Sequence, residues 1–252
     1  MPDPAPGPQS VDRALEILDA VAEAARPVTA KALARKLGCS LSTVYHLLGP
    51  LTARNHLVRT ADGYALGPQA LALHRSFQRY LRVGPGIGES LLRVRRATGV
   101  QAYFTAYRDG GITVIDSTRP TTTTATATAT DAPFTLGPEV RAHATAHGKV
   151  LLAQLPRVAR RRYLDTHGMA RLTERTITSA ERFASELARV RDEGVAVSVG
   201  EADPAYSCLA VPLPGPRPGG VLHALSVSLP TSEFRRRHGE LRAVITRMAA
   251  RL

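Results

Sequence analysis

The stretch Thr29-Ala30-Lys31-Ala32-Leu33-Ala34-Arg35-Lys36-Leu37-Gly38-Cys39-Ser40-Leu41-Ser42-Thr43-Val44-Tyr45-His46-Leu47-Leu48 decides how the first part of this chain is read. Thr29 stands where an N-cap belongs, and Ala32, Leu33 and Leu37 share one helical face until Gly38 stops the helix. After a tight turn holding Cys39, Ser40 caps a second helix that turns Val44, Leu47, Leu48 and Leu51 inward. Upstream, Ser10 is read as the cap of a first amphipathic helix carrying Val11, Ala14, Leu15, Leu18 and Val21, broken at Arg26-Pro27. Downstream, the strand-like runs Leu57–Thr60 and Tyr64–Leu66 flank Ala61-Asp62-Gly63, an Asp-Gly hairpin signal. Three helices and a hairpin within 10–67 make a winged helix-turn-helix.

The rest of the chain divides around that module. Residues 1–9, rich in alternating proline, are expected to be a disordered tail, and 68–84 a linker helix opened by Pro68. Leu71, Leu73, Phe77, Tyr80 and Leu81 give that helix apolar surface with little chain of its own to cover it, which marks it as a dimer contact. Residues 85–252 read as an α/β domain. A helix spans Ile87–Arg96 with Leu91, Leu92 and Val94 inward, and strands follow at 100–107 and 112–117. Helices are expected at 142–155, 157–166 and 179–193, strands at 195–199, 207–213 and 221–229, and a last helix at 231–251. The long helical stretch between strands predicts a mixed sheet. Thr121–Thr130 is a low-complexity Thr/Ala tract that fits an edge strand or a loop. The fold class is therefore α+β.

Composition narrows the functions. The 252 residues carry 33 Lys and Arg against 21 Asp and Glu, a net charge of +12 that invites a polyanion. The excess is spread along the chain, and Arg160-Arg161-Arg162 and Arg235-Arg236-Arg237 read as solvated helix faces. Two cysteines, Cys39 and Cys208, are too few for a disulfide framework. No apolar run approaches the ~20 residues that cross a bilayer, and the N-terminus lacks a signal-peptide pattern, so a soluble cytoplasmic protein is expected. In a helix-turn-helix the second helix offers its N-terminal side chains to the major groove. Those are Ser40, Ser42, Thr43, Tyr45 and His46. The hydroxyls suit phosphates, Tyr45 and His46 can reach base edges, and Arg59 on the hairpin can hold a phosphate or enter the minor groove.

These residues carry a resemblance. Ser10-Val11-Asp12-Arg13-Ala14-Leu15-Glu16-Ile17-Leu18 and Leu41–Leu48 resemble the DNA-binding domain of IclR-type bacterial transcriptional regulators. His143-Ala144-Thr145-Ala146-His147-Gly148-Lys149-Val150-Leu151-Leu152-Ala153 is similar to that family's HATALGKALLA signature, and the motifs around Leu172–Thr178, Glu186–Gly194, Cys208–Pro212 and Ala224–Ser228 follow in family order. The resemblance implies a GAF-like effector-binding domain and a homodimer or tetramer on operator DNA, acting as a repressor or activator. It also implies an effector site built from Ala146, His147, Gly148, Ser198, Cys208, Ser226 and Ser228, suited to a carboxylate or aromatic metabolite. The chain departs from the family pattern at His46, where Arg is frequent, at His147, usually Leu, and at Ser198, where many members have Asp.

The same residues admit other chemistries. His143 and His147 are one helical turn apart and, with Cys208, have the makings of a zinc site, but the signature already accounts for His143. Cys208 with His147 or His223 as base would suit a thiol enzyme, yet no acid is placed beside either histidine and no GxGxxG or GxxxxGK[ST] loop is present. A regulator answering to a protein partner is the further alternative. The reading adopted is a DNA-binding regulator with a small-molecule effector, no metal, no cofactor and no catalysis.

Overall fold

The computed structural model describes residues 8–84, 86–118, 134, 136–214 and 220–251. The Thr/Ala tract and residues 1–7 of the expected tail lie outside the described residues. The chain forms two compact units, Met1–Tyr80 and Leu81–Leu252.

In the first unit, α1 (Gln9–Glu23), α2 (Ala30–Leu37) and α3 (Leu41–Ala53) surround a core of Ile17, Leu33, Val44, Leu48 and Leu57. The first helix starts two residues ahead of expectation. Pro8 occupies the N-cap position and its carbonyl accepts from the Val11 N–H at 2.7 Å, so Ser10 lies in the first turn and does not cap it. Thr29 caps α2 through its side chain, which accepts from the Ala32 N–H at 3.2 Å, and Gly38 ends the helix at φ 62°. The wing is the antiparallel pair β1 (Leu57–Thr60) and β2 (Gly63–Leu66). Val28 adds a third edge through reciprocal backbone bonds with Tyr64 at 2.8 and 2.9 Å. That approach demands Gly63, whose φ is +143° and whose Cβ would fall 2.6 Å from the Val28 carbonyl oxygen. α4 (Pro68–Tyr80) follows without one buried side chain.

In the second unit, α5 (Ile87–Thr98), β3 (Gln101–Arg108), β4 (Gly111–Ser117) and β5 (Gly137–Pro138) precede the helices α6 (Ala146–Gln154), α7 (Arg157–His167) and α8 (Ala180–Glu193). β6 (Ala196–Val199), β7 (Tyr206–Pro212), β8 (Leu222–Pro230) and α9 (Thr231–Ala249) complete it. The described strands form a sheet in the order β5-β4-β3-β8-β7-β6. Every pairing is antiparallel, which corrects the expected mixed sheet. The helical stretch carries the chain from one edge strand, β5, to the opposite edge, β6, so it never joins neighbouring strands that would have to run parallel. Leu92 was also expected inside. It sits about 100° round the helix from Leu91 and about 160° from Val94, and is exposed.

Alternation along the strands divides the sheet. Phe104, Leu209, Val211, Leu225, Val227 and Leu229 face one side, under α5 and α9 with Leu91, Phe234, Leu241 and Ile245. Tyr103, Cys208, Ala210 and Ala224 face the other, under the helical layer that supplies Val150, Leu151, Phe183 and Leu187. The expected single helix over 142–155 is broken there. A 3-10 turn at Ala142–Ala144 is followed by Thr145 in extended conformation, which caps α6 by accepting from the Gly148 N–H at 3.2 Å. The turn folds back so tightly that a Cβ on Gly148 would meet the Ala142 carbonyl oxygen at 2.2 Å.

Gly63→Ala forces an L side chain into positive φ against a backbone carbonyl, and should cost roughly 3 kcal/mol. Urea unfolding of the DNA-binding unit should report that loss, and a change under about 0.5 kcal/mol would contradict the Val28–Tyr64 bridge.

Candidate DNA-reading surface and ligand face

α3 has two sides because its sequence has two. Val44 and Leu48 enter the core, while Leu41, Ser42, Tyr45 and His46 stand in solvent, Tyr45 with 53% of its surface exposed. Ser40 is committed to its own helix. Its Oγ accepts from the Thr43 N–H at 3.1 Å and lies 2.8 Å from Thr43 Oγ1 and 3.1 Å from Ser42 Oγ. The three hydroxyls therefore form one cluster at the helix N-terminus, where partial positive charge favours an anion. Arg59 is exposed on β1, opposite Tyr64, with no ion-pair partner among the described residues.

The seven expected effector residues are all buried, and the register brings most of them together. Ser198, Cys208 and Ser228 are consecutive partners across β6, β7 and β8, and Ser226 pairs with Ala210 and Tyr103 one step along. Most of their polar atoms are already used. Ser198 donates to the Ala144 carbonyl at 2.6 Å, Ser228 donates to Ser207 O at 3.3 Å, and the Ala146 N–H donates to Cys208 Sγ at 3.3 Å. Burial pushes the Cys208 thiol up to about 11. Ser226 stands apart among the strand side chains, with its Oγ fully buried and without a partner.

Thr105 was missed from the sequence and shares that condition. It lies on the same face as Ser226, two residues along β3 from Tyr103, and its hydroxyl is fully buried without a partner. The signal was available in the strand alternation, since position 105 is polar in the middle of an apolar strand. An unpaired buried hydroxyl costs roughly 1–3 kcal/mol, so two on one face call for a polar occupant.

Beside them stands an aromatic group. Phe134 meets the Tyr103 ring edge-on at 5.3 Å and the His147 ring edge-on at 4.8 Å. His147 Nε2 lies 3.3 Å from Glu139 Oε2, and Glu139 also accepts from the Arg141 N–H at 2.7 Å. Burial alone would raise the Glu139 carboxyl, but the His147 hydrogen bond and the nearby charges of His147 and Arg141 outweigh it and bring the value down to about 2. His147 Nδ1 has no partner. His143 points elsewhere, with Nε2 2.9 Å from Ala170 O, and no group of three or more His, Cys, Asp or Glu among the described residues is arranged for a metal. His223 lies across the sheet from Cys208, its ring tilted 31° against Phe104 at 5.0 Å and held by Leu81 O at 2.9 Å. Lys149 is buried and fully engaged, donating to Glu201 at 2.6 Å, Val197 O at 3.2 Å and Glu186 at 3.3 Å. It ties α6 to α8 and to the end of β6.

A winged helix-turn-helix followed by a separate α/β domain with unsatisfied polar groups inside defines a two-part DNA-binding regulator. Residues 10–61 match the IclR helix-turn-helix domain, and residues 87–252 match the C-terminal domain of the bacterial transcriptional regulator IclR. The chain belongs to the IclR family of DNA-binding transcriptional regulators, whose C-terminal domain binds effectors. It is 29% identical to the HTH-type transcriptional regulator XynR of Escherichia coli (strain K12) over 226 residues, 89% of this chain and 87% of that one. Among solved structures it is similar to the Thermotoga maritima IclR, with TM-score 0.72, 22% identity and 95% of each chain covered. An IclR homologue from Microbacterium hydrocarbonoxydans complexed with 4-hydroxybenzoate has TM-score 0.66 at 18% identity, with 96% of each chain covered.

The Glu139 carboxyl titrates lower folded than unfolded, so its contribution is present above about pH 5 and is lost as pH falls through 4.5 towards 2. Glu139→Gln should therefore cost roughly 1–3 kcal/mol at pH 7 and much less at pH 3. Urea unfolding at the two pH values checks this, and an equal loss at both would contradict it.

Proposed function

We propose that this regulator reads its operator through the solvent side of α3 and holds the flanking backbone with its wing. Tyr45 and His46 supply base contacts, the Ser40, Ser42 and Thr43 hydroxyls and Arg59 supply phosphate contacts. The observation that carries this reading is the division of α3, whose apolar side is consumed by the core while its polar side is left open. Leu71, Leu73, Phe77 and Tyr80, exposed on α4, support a homodimer or tetramer, whose two-fold symmetry would be mirrored in a roughly palindromic operator. A cytoplasmic location accords with DNA as the target.

The effector is a small carboxylate or aromatic acid held on the sheet face between Ser226, Thr105 and the Phe134–His147 pair. Ala146, Gly148, Ser198, Cys208 and Ser228 form the frame around it. The unpartnered Ser226 and Thr105 hydroxyls support this reading, because each can donate to a carboxylate oxygen. The chain is not an enzyme on this account. A Cys208 thiol raised to about 11 is a poor nucleophile near neutral pH, and His223 lies on the opposite face of the sheet, held by Leu81 O. Effector binding would alter operator affinity only as far as it prefers one state over another.

Tyr45→Ala and His46→Ala should each lower discrimination between operator and random duplex by about 5- to 100-fold, while Arg59→Ala should weaken all duplexes alike and reduce the salt slope by about 1. Anisotropy titrations at several salt concentrations separate these, and unchanged discrimination in both α3 variants would remove them as readers. Ser226→Ala combined with Thr105→Val should abolish the thermal and operator responses to any small acid, 4-hydroxybenzoate among those screened, that shifts the unaltered protein. A retained response would displace the ligand from this face.

A further inference from the structure

α7 and α8 bound a groove outside the effector face. Arg157, Arg160, Arg161, Leu164 and Asp165 recur along one side of α7, and Ala180 and Ala184 line the facing turn of α8, with Met169 between. The cleft holds about 470 Å³. Its buried neighbours Tyr163 and Phe183 point the other way, into the core. Leu164, Met169 and the two alanines give it an apolar floor, and Val158, 80% exposed, extends that surface along α7.

The rim is positive and poorly compensated. Arg161 pairs with Asp165 at 3.7 Å in the open, whereas neither Arg157 nor Arg160 has an acidic partner among the described residues. Arg160 is half-buried, and its ionisation is depressed first by that burial and then by the charges of Arg191 and Arg157. Three arginines crowded along an apolar trough form a combination that water alone serves badly. The small side chains at 180 and 184 leave room for a helix to approach closely. Nucleic acid fits less well, because a phosphate backbone has no use for a Leu–Met–Ala floor and Asp165 would face it.

We propose that the α7–α8 groove docks an acidic amphipathic helix of a partner protein, its apolar stripe on Leu164, Met169, Ala180 and Ala184 and its carboxylates on Arg157 and Arg160. Carboxylate pairing is bidentate at arginine, and a helix lying in a groove reads i, i+3, i+4 and i+7 positions. None of the residues lining the groove is among those proposed for the effector or for DNA.

The test uses the full chain and a fluorescein-labelled amphipathic peptide of about eighteen residues, with leucines along one face and glutamates on the others. That length overlaps the roughly 16 Å of α7. Anisotropy should show saturable binding below about 100 µM, the range of a small transient interface. A scrambled peptide of the same composition should bind at least tenfold more weakly. Arg157→Glu with Arg160→Glu, and separately Ala184→Trp, should each weaken binding at least tenfold. Arg235→Glu with Arg236→Glu, an equal charge change on α9, should leave it unaltered, and all three variants should keep the operator affinity and melting temperature of the parent. Equal affinity for the scrambled peptide, equal loss in the α9 variant, or no saturable binding would overturn the proposal. So would a drop in operator affinity for Arg157→Glu with Arg160→Glu at unchanged melting temperature, which would make DNA the occupant.

Discussion

An antiparallel sheet buried on both faces is the constraint on which the second unit depends. Each strand must supply two kinds of side chain in strict alternation, and here the kinds differ. Towards α5 and α9 the alternation delivers Phe104, Leu209, Val211, Leu225, Val227 and Leu229, a conventional apolar layer. Towards α6 it delivers Thr105, Ser198, Cys208, Ala210, Ala224, Ser226 and Ser228, which are short and largely polar. Short side chains leave little to fill the space under a helix, and polar ones must find partners. The break at Thr145 answers both needs by bringing backbone groups of the 3-10 turn and of α6 down onto the sheet, where Ser198 and Cys208 are satisfied. Ser226 and Thr105 are left over.

The same economy governs the first unit. A module of this size has few residues with which to build a core, so α3 must give its apolar side to the interior and can offer only its other side to DNA. Ser40 shows how local structure and function compete. As the N-cap it stabilises the helix start, by about 1 kcal/mol in comparable cases, and the same bond fixes the hydroxyl cluster proposed to meet a phosphate. Tyr45 and His46 carry no such structural duty, which leaves them free to distinguish sequences.

Much of this was legible in the residues. Capping by Thr29 and Ser40, the stop at Gly38 and the Asp-Gly hairpin are local signals, and local signals survive folding. Strand alternation put Ser226 and Ser228 on one face before any register was known. What could not be read depended on long-range contact. The antiparallel order follows from where the helical stretch re-enters the sheet, and the break at Thr145 follows from the approach of Ala142 to Gly148. The Glu139–His147 pair joins residues eight apart across an irregular segment, with no periodicity to announce it. Nor did the sequence distinguish Ser198 and Ser228, already bonded to backbone, from Ser226 and Thr105.

The central claim is that two orphaned hydroxyls on the short-residue face mark where a small acid enters and acts on DNA binding. The most direct measurement is a crystal structure of the protein with the small acid that most alters its melting temperature. Density within hydrogen-bonding distance of both Ser226 Oγ and Thr105 Oγ1, with the ligand beside Phe134, is the result expected. A ligand seated elsewhere, with ordered water pairing those two hydroxyls, would contradict it.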